Sequence, residues 1–407
     1  MGTIITRVSR VNGEGDFVSQ DAHGFSEAGL GPPTADFDAA RLSQGSDAPA
    51  RYRFVEPDGS YDPEAVPDFA VEELRDIYYW LLLQRRFDER MVKLQRRGEM
   101  GTVATARGQE ASVVGVSFGL EQRDWLLPYG REPAALIRHG VSMRDIILYW
   151  LGVMDANRLP DSNSLPYAIA IGTHVPVGVG YAWGLSMDDE DAVVTMMMGD
   201  GQFSTGEAQT AMNVAGVVDA PAVFFALNNQ YAISLPFSGQ TAANSVAQKA
   251  LAWGLDGIRV DGNDVLAVVD AMRRARRRAR QGTPVLLEAV TYRLEAHTTN
   301  DDPSRYRDDA EVDWWRERDP MDRFRSFLES EGVWADIDED GMREEIDERF
   351  DRAREEVAAY ESGGIEELFE YVYDEMTPAL RDQLADLEAV LEERPDAAEY
   401  IEERPKG

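Results

Sequence analysis

The apolar positions divide the chain into a long central stretch of regular periodicity and two flanks that lack it. From Val71 to Arg97 the run VEELRDIYYWLLLQRRFDERMVKLQRR repeats apolar residues at helical spacing, and Gly98 and Gly101 then stop it. This predicts a helix. Farther on, short apolar runs alternate with amphipathic ones: AVVTMMM at 192–198, a helical stretch from about Glu207 to Val217, and AVFFAL at 222–227. The alternation continues with IRV at 258–260, a helix from Asp264 to Arg280, and PVLLEAVTYRL at 284–294. Strands joined by helices in this way predict an α/β fold, a doubly wound and mostly parallel sheet flanked by helices, over roughly residues 100–300.

The flanks read differently. Residues 1–65 are rich in Gly, Asp, Ser and Pro, which predicts a partly disordered arm ahead of a folded domain at 66–310. Residues 311–407 interleave Asp and Glu with Leu, Phe and Trp. They are expected to form a helical region packed on the same domain and on partner subunits, ending in an acidic tail.

Composition narrows the function classes. The 407 residues are 43% hydrophobic, enough for buried cores. Against 75 Asp and Glu stand 41 Lys and Arg, a net charge of −34, and the lysines are Lys93, Lys249 and Lys406. The acidic residues are spread through every predicted helix, as on a solvated, salt-adapted surface. Nucleic acid would be repelled by it, and the one basic run, Arg273 to Arg280, reads as a helix face. The absence of cysteine excludes a disulfide framework and thiol-based metal or redox chemistry. No segment approaches the roughly eighteen uninterrupted apolar residues of a membrane span, and no leader is visible, so a cytoplasmic protein is expected.

Candidate chemistry sits at two strand ends. Gly199-Asp200-Gly201 follows AVVTMMM, and Asn228-Asn229 ends AVFFAL, with Asn229 twenty-nine positions beyond Asp200. In an open parallel sheet, ligands bind at that carboxyl edge. A hard cation such as Mg²⁺ takes oxygen donors and shares phosphate oxygens, and Asp200 and Asn229 offer a carboxylate and an amide oxygen. Glycines beside Asp200 admit a diphosphate closely, and the helix after Thr205-Gly206 points its amides toward it. A lone Gly-Asp-Gly occurs in many turns and in one phosphatase superfamily; the pairing with Asn-Asn is the more specific signal.

These motifs, together with RRFDERMVKLQRRGEMG, GQEAS at 108–112, GDGQFSTGEAQTAMNVAGV, LNNQYAIS at 227–234, IRVDGND at 258–264 and HTTNDDPSRYR at 297–307, resemble one family. It is the alpha subunit of the decarboxylating first component of 2-oxo acid dehydrogenase complexes, and the likeness runs from about Asp68 to Pro378. The resemblance implies the thiamine-diphosphate-binding fold and oxidative decarboxylation of pyruvate or a branched-chain 2-oxo acid. It also implies an α₂β₂ heterotetramer with a beta subunit, and a lipoyl-bearing acyltransferase as acyl acceptor. Carried over by position, Asp200, Asn229 and the Tyr231 carbonyl would hold Mg²⁺, and Gly199, Gly201, Gln202 and Arg131 would meet the diphosphate. Ile169 and Ile171 would lie on the aminopyrimidine side, and His297 would stand by the thiazolium as the catalytic histidine. Of the other histidines, His23 lies in the arm, His139 at a predicted helix end and His174 in a glycine-rich stretch.

Three positions depart from the family. In Pro128-Tyr129-Gly130-Arg131 the aromatic stands one residue upstream of its usual place, which leaves the role of Tyr129 at the cofactor open. Gly101-Thr102-Val103-Ala104 replaces the aromatic or histidine residues common in pyruvate-using relatives, from which a branched or longer aliphatic 2-oxo acid is expected. Thr210 stands where Glu is common and is expected to alter a subunit contact. Ser304, in the loop that would order over the diphosphate, reads as a turn cap with modification as the alternative. Other readings are an acetoin-type alpha subunit, a Mg²⁺-dependent phosphatase, for which an earlier nucleophilic aspartate motif is missing, and a non-catalytic interaction protein.

Overall fold

A computed structural model describes residues 33–37, 40–42, 50–159, 162–360 and 364–394. Its strands are β1 (Pro33–Thr34), β2 (Arg41–Leu42), β3 (Arg51–Tyr52), β4 (Trp125–Leu127), β5 (Val194–Gly199), β6 (Ala222–Asn228), β7 (Tyr231–Ala232), β8 (Leu235–Pro236), β9 (Asp256–Asp261) and β10 (Val285–Val290). Eight of them form one sheet in the order β1-β3-β9-β10-β6-β5-β4, with β2 paired antiparallel to β9 and the other pairings parallel. The expected mostly parallel sheet is present.

Its central strands are apolar on both faces because helices cover both. In β5, Val194, Met196 and Met198 join one core with Val175, Val179 and Ala208 from the helices His174–Met187 and Gly206–Val217. The intervening Met197 faces a second core, with Phe225 and Leu227 of β6 and Leu266 and Val269 of helix Val265–Arg280. Strands buried on both sides read as continuous apolar runs, and AVVTMMM and AVFFAL are such runs. From β4 through β9 the chain crosses the sheet in one direction; the return to β10 reverses it and puts its helix on the opposite face. A crevice at the carboxyl edge follows from that reversal.

The folded body begins earlier than position 66. Tyr52 and Val55 are buried, β3 pairs with β9, and the Phe54 and Val55 amides donate to Asp264 Oδ2 at 2.7 and 2.8 Å. A two-residue strand is too short for periodicity to reveal. The rest of the expected arm, up to residue 32, at 38–39 and at 43–49, lies outside the described residues, as do His23 and the acidic tail beyond 394. Toward the other end, helices Pro320–Ser330 and Glu339–Ala358 pack on helix Val71–Arg96, with Phe87 and Phe350 edge to face at 5.5 Å. Helix Pro378–Glu393 buries none of its residues.

Five of the six arginines in the basic run form ion pairs. Arg276 meets Glu121 at 2.6 Å and also Asp124, Arg274 meets Asp270 at 2.7 Å, and Arg273, Arg278 and Arg280 pair with Glu73, Asp256 and Asp191. Among the described residues, no helix is long and apolar enough to cross a membrane.

Candidate active site

Register brings the motif residues to one edge. Gly199 is level with Leu227, and Asn228 with Val290, so Asp200, Asn229 and the chain toward His297 leave β5, β6 and β10 at their carboxyl ends. Leu127 of β4 is level with Met196, and the turn after it carries Tyr129 and Arg131.

Asp200 is buried, and its Oδ2 accepts from the neutral Gln240 amide at 2.6 Å. Burial lifts its carboxyl to about 6, against the pull of that hydrogen bond and of Arg293. Asn229 is also buried; its Nδ2 donates to Gln109 Oε1 at 2.9 Å, and its Oδ1 accepts from the Tyr231 amide at 3.3 Å. The Tyr231 carbonyl takes a long contact from Arg293 at 3.4 Å, and the side chain turns away, its hydroxyl donating to Glu311 at 2.8 Å. The β7–β8 hairpin here is tight enough to hold Gln230 and Ile233 at φ of 73° and 58°, left-handed geometry that non-glycine residues adopt at a cost and that concentrates at functional sites.

Arg131 donates from Nη1 to the Thr105 carbonyl at 2.5 Å and from Nη2 to the His297 carbonyl at 2.7 Å. Arg131 Nη2 also lies 3.0 Å from His297 Nδ1, with Arg293 Nη1 at 3.2 Å on the same nitrogen. The His297 amide donates to Asp301 Oδ2 at 2.8 Å. Burial and the two guanidiniums push this imidazole down to about 4.

Tyr129 lies against Gly199. A Cβ added to Gly199 would stand 3.6 Å from its ring, and Arg131, Glu132 and Asp200 all act on its buried hydroxyl, which burial keeps protonated. Gly201 is required by a close approach, since a Cβ there would sit 2.8 Å from that of Ala232. Gln202 is buried with Oε1 lacking a hydrogen-bond partner, and so is Oε1 of Gln240. Gly172, at φ 82°, sits against the Thr205 hydroxyl, which caps helix Gly206–Val217 by accepting from Ala208 N at 3.3 Å. The nearby Ile169 and Ile171 are 61% and 57% exposed, so in this chain alone their side chains face outward. Thr210 is exposed on the same helix, and at Pro303–Arg305 the capping residue is Asp302 rather than Ser304: Asp302 Oδ1 accepts from the Ser304 amide at 3.2 Å and from its hydroxyl at 2.6 Å.

These donors suit a magnesium diphosphate. A carboxylate, an amide oxygen and a backbone carbonyl are hard ligands, and two buried amide oxygens lack donors. Among the described residues no group of three or more His, Cys, Asp or Glu could hold a metal. The cation would therefore share oxygens from its ligand, as Mg²⁺ does in phosphate sites.

Three residues of the site were not among the expected site residues. Arg293, buried, bridges the Tyr231 and Ile233 carbonyls, Tyr306 and His297. Gln240 and Gln109 hold Asp200 and Asn229. A weak signal existed for Arg293, a cation four residues before His297; Gln109 lies within the GQEAS segment, and Gln240 had no signal.

Comparison with known proteins gives the family. A family model described as dehydrogenase E1 component matches residues 79–366. The 3-methyl-2-oxobutanoate dehydrogenase subunit alpha of Mycobacterium tuberculosis is 40% identical over 347 residues, covering 83% of this chain and 94% of that protein. The pyruvate dehydrogenase E1 component subunit alpha of Bacillus subtilis is 37% identical, covering 78% and 87%, and that of Staphylococcus aureus 36%, covering 86% and 96%. With a match over most of its length and the motif residues gathered at one sheet edge, the chain belongs to the dehydrogenase E1 component family.

Proposed function

We propose that this chain is the alpha subunit of a thiamine-diphosphate-dependent 2-oxo acid dehydrogenase, which decarboxylates a 2-oxo acid and passes the acyl group to the lipoyl group of an acyltransferase. The observation that carries this reading is the buried carboxylate of Asp200, held by a neutral amide and set among oxygen donors with Arg131 and Arg293 nearby. Asp200, Asn229 and the Tyr231 carbonyl would hold Mg²⁺, while Gln202 and Arg131 would meet the diphosphate. A planar guanidinium suits that contact, because it binds phosphate with two parallel hydrogen bonds. Thiamine diphosphate, when bound, supplies the electron sink for decarboxylation.

His297 supplies a proton donor. Arginine has no acceptor, so Nδ1, which faces Arg131 and Arg293, carries the lone pair and Nε2 carries the hydrogen. A neutral imidazole held this way offers Nε2–H to a developing oxyanion without adding charge.

A partner completes the site. Val177, Trp183 and Met187 share an exposed face of helix His174–Met187, beside the exposed Ile169 and Ile171, and apolar surface of that kind is suited to a subunit contact. The reading is an α₂β₂ heterotetramer working in the cytoplasm, with the beta subunit contributing the rest of the cofactor site. An acetoin-type donor would use the same residues. Co-expression with a beta subunit, followed by assay of ¹⁴CO₂ release from labelled 2-oxo acids and of acylation of a lipoylated acyltransferase, tests the reading. Both products are expected only with both subunits and thiamine diphosphate present. A purified heterotetramer that yields neither from any 2-oxo acid contradicts it.

A further inference from the structure

Helix Val71–Arg96 carries two buried polar side chains on one face, Gln84 and Asp88, four residues apart. A polar pair in a helix core is costly unless every group is bonded, so the destination of each bond is informative. Gln84 Nε2 donates to Asp88 Oδ2 at 3.0 Å, and Gln84 Oε1 accepts from the Ala134 amide at 3.0 Å. Asp88 Oδ2 also accepts from the Ala106 amide at 2.8 Å. That amide is one end of the Thr105–Ala106 peptide; the carbonyl at the other end accepts Arg131 Nη1 at 2.5 Å.

The contacts therefore close a ring. It leaves Arg131 through its guanidinium, crosses the Thr105–Ala106 peptide to Asp88, passes to Gln84, and returns through Ala134, three residues beyond Arg131. Glu132 holds the intervening turn, accepting from the amides of Arg131 at 2.5 Å and Gly130 at 3.2 Å. We propose that Gln84 and Asp88 are positioning residues for the cofactor: through the Thr105–Ala106 peptide and the Ala134 amide they fix where the Arg131 guanidinium stands. This rests on Arg131 as a diphosphate contact.

Charge is not the means. Burial, with Glu110 and Glu295 nearby, pushes the Asp88 carboxyl up to about 8, so at neutral pH it acts as a hydrogen-bonding group, and an asparagine can take over its acceptor role.

The test measures thiamine diphosphate affinity by calorimetry in the reconstituted heterotetramer with Mg²⁺, and thermal unfolding of the same samples. Asp88→Ala and Gln84→Met should each weaken binding roughly tenfold, the scale of one lost buried hydrogen bond. Asp88→Asn should stay within about twofold of wild type, since it keeps the acceptor oxygen. Adding Asp88→Ala to Arg131→Ala should cost no further affinity, because the two act through one contact. Gln84→Met preserves volume and carries the test if Asp88→Ala fails to assemble. Wild-type affinity in Gln84→Met, or a full additive loss on the Arg131→Ala background, overturns the proposal even where melting temperatures fall. A folded wild-type heterotetramer that binds no thiamine diphosphate would instead remove the functional reading beneath it.

Discussion

Arg131 places Nη2 3.0 Å from Nδ1 of His297 and 2.7 Å from the carbonyl oxygen of the same residue. One cation therefore fixes the ring's tautomer and its backbone together, and it also depresses the imidazole, behind burial as the main cause. The folded pKa of about 4 lies below the usual 6.5, so unfolding takes up a proton in that interval. The stability His297 contributes is present above 6.5 and is lost as pH falls toward 4. His297→Gln should flatten the fall in melting temperature across that window, and an unchanged slope would show that the imidazole is not held neutral. His297→Ala should bind cofactor but lose about 10² to 10³ in turnover to the lipoyl acceptor.

Asp200 works in the opposite sense. Its carboxyl is raised from 3.8 to about 6 by burial, so the apo protein's advantage from the protonated form is present below 3.8 and is lost as pH rises through 6. Asp200→Asn should therefore raise the apo melting temperature at pH 7.5, by on the order of 2 kcal/mol in stability, while removing Mg²⁺-dependent cofactor binding. Equal apo stability of the two proteins across pH 4 to 8 would show that the carboxylate is not desolvated.

The sheet and its motif edge were legible because apolar runs of β5 and β6 are covered on both faces and end in unusual residues. Asp200 and Asn229 could be found that way. The roles of Gln240, Gln84, Gln109 and Asp88 could not, although Gln109 and Asp88 stand inside the GQEAS and RRFDERMVKLQRRGEMG segments, since their bonds to Asp200, Ala134, Asn229 and Ala106 cross the fold. The short strands at Pro33–Thr34 and Arg51–Tyr52 were invisible for a different reason: two residues carry no period.

The loop at 101–104 is the proposed determinant of substrate choice. Val103 is buried, and its amide and carbonyl bond to the hydroxyl and amide of Thr299 at 3.2 and 3.0 Å, two residues from His297. A small apolar wall there should favour a branched 2-oxo acid over pyruvate, and Val103→Phe should cut kcat/KM for the branched acid roughly tenfold or more while changing pyruvate less. A wild-type enzyme strictly selective for pyruvate would refute this reading of the loop.

The net charge of −34 predicts a response to salt. Many ion pairs lie in exposed positions and contribute little, so screening acts mainly on self-repulsion. Raising KCl from about 0.1 to 2 M should raise the melting temperature; a decrease would show that surface pairs outweigh repulsion.

The most direct test is cofactor binding by Asp200→Ala and Asn229→Ala in the reconstituted heterotetramer, titrated with thiamine diphosphate in the presence and absence of Mg²⁺. The proposed metal site predicts that wild type binds only with the cation and that each variant loses that binding. Wild-type affinity in both variants would contradict it.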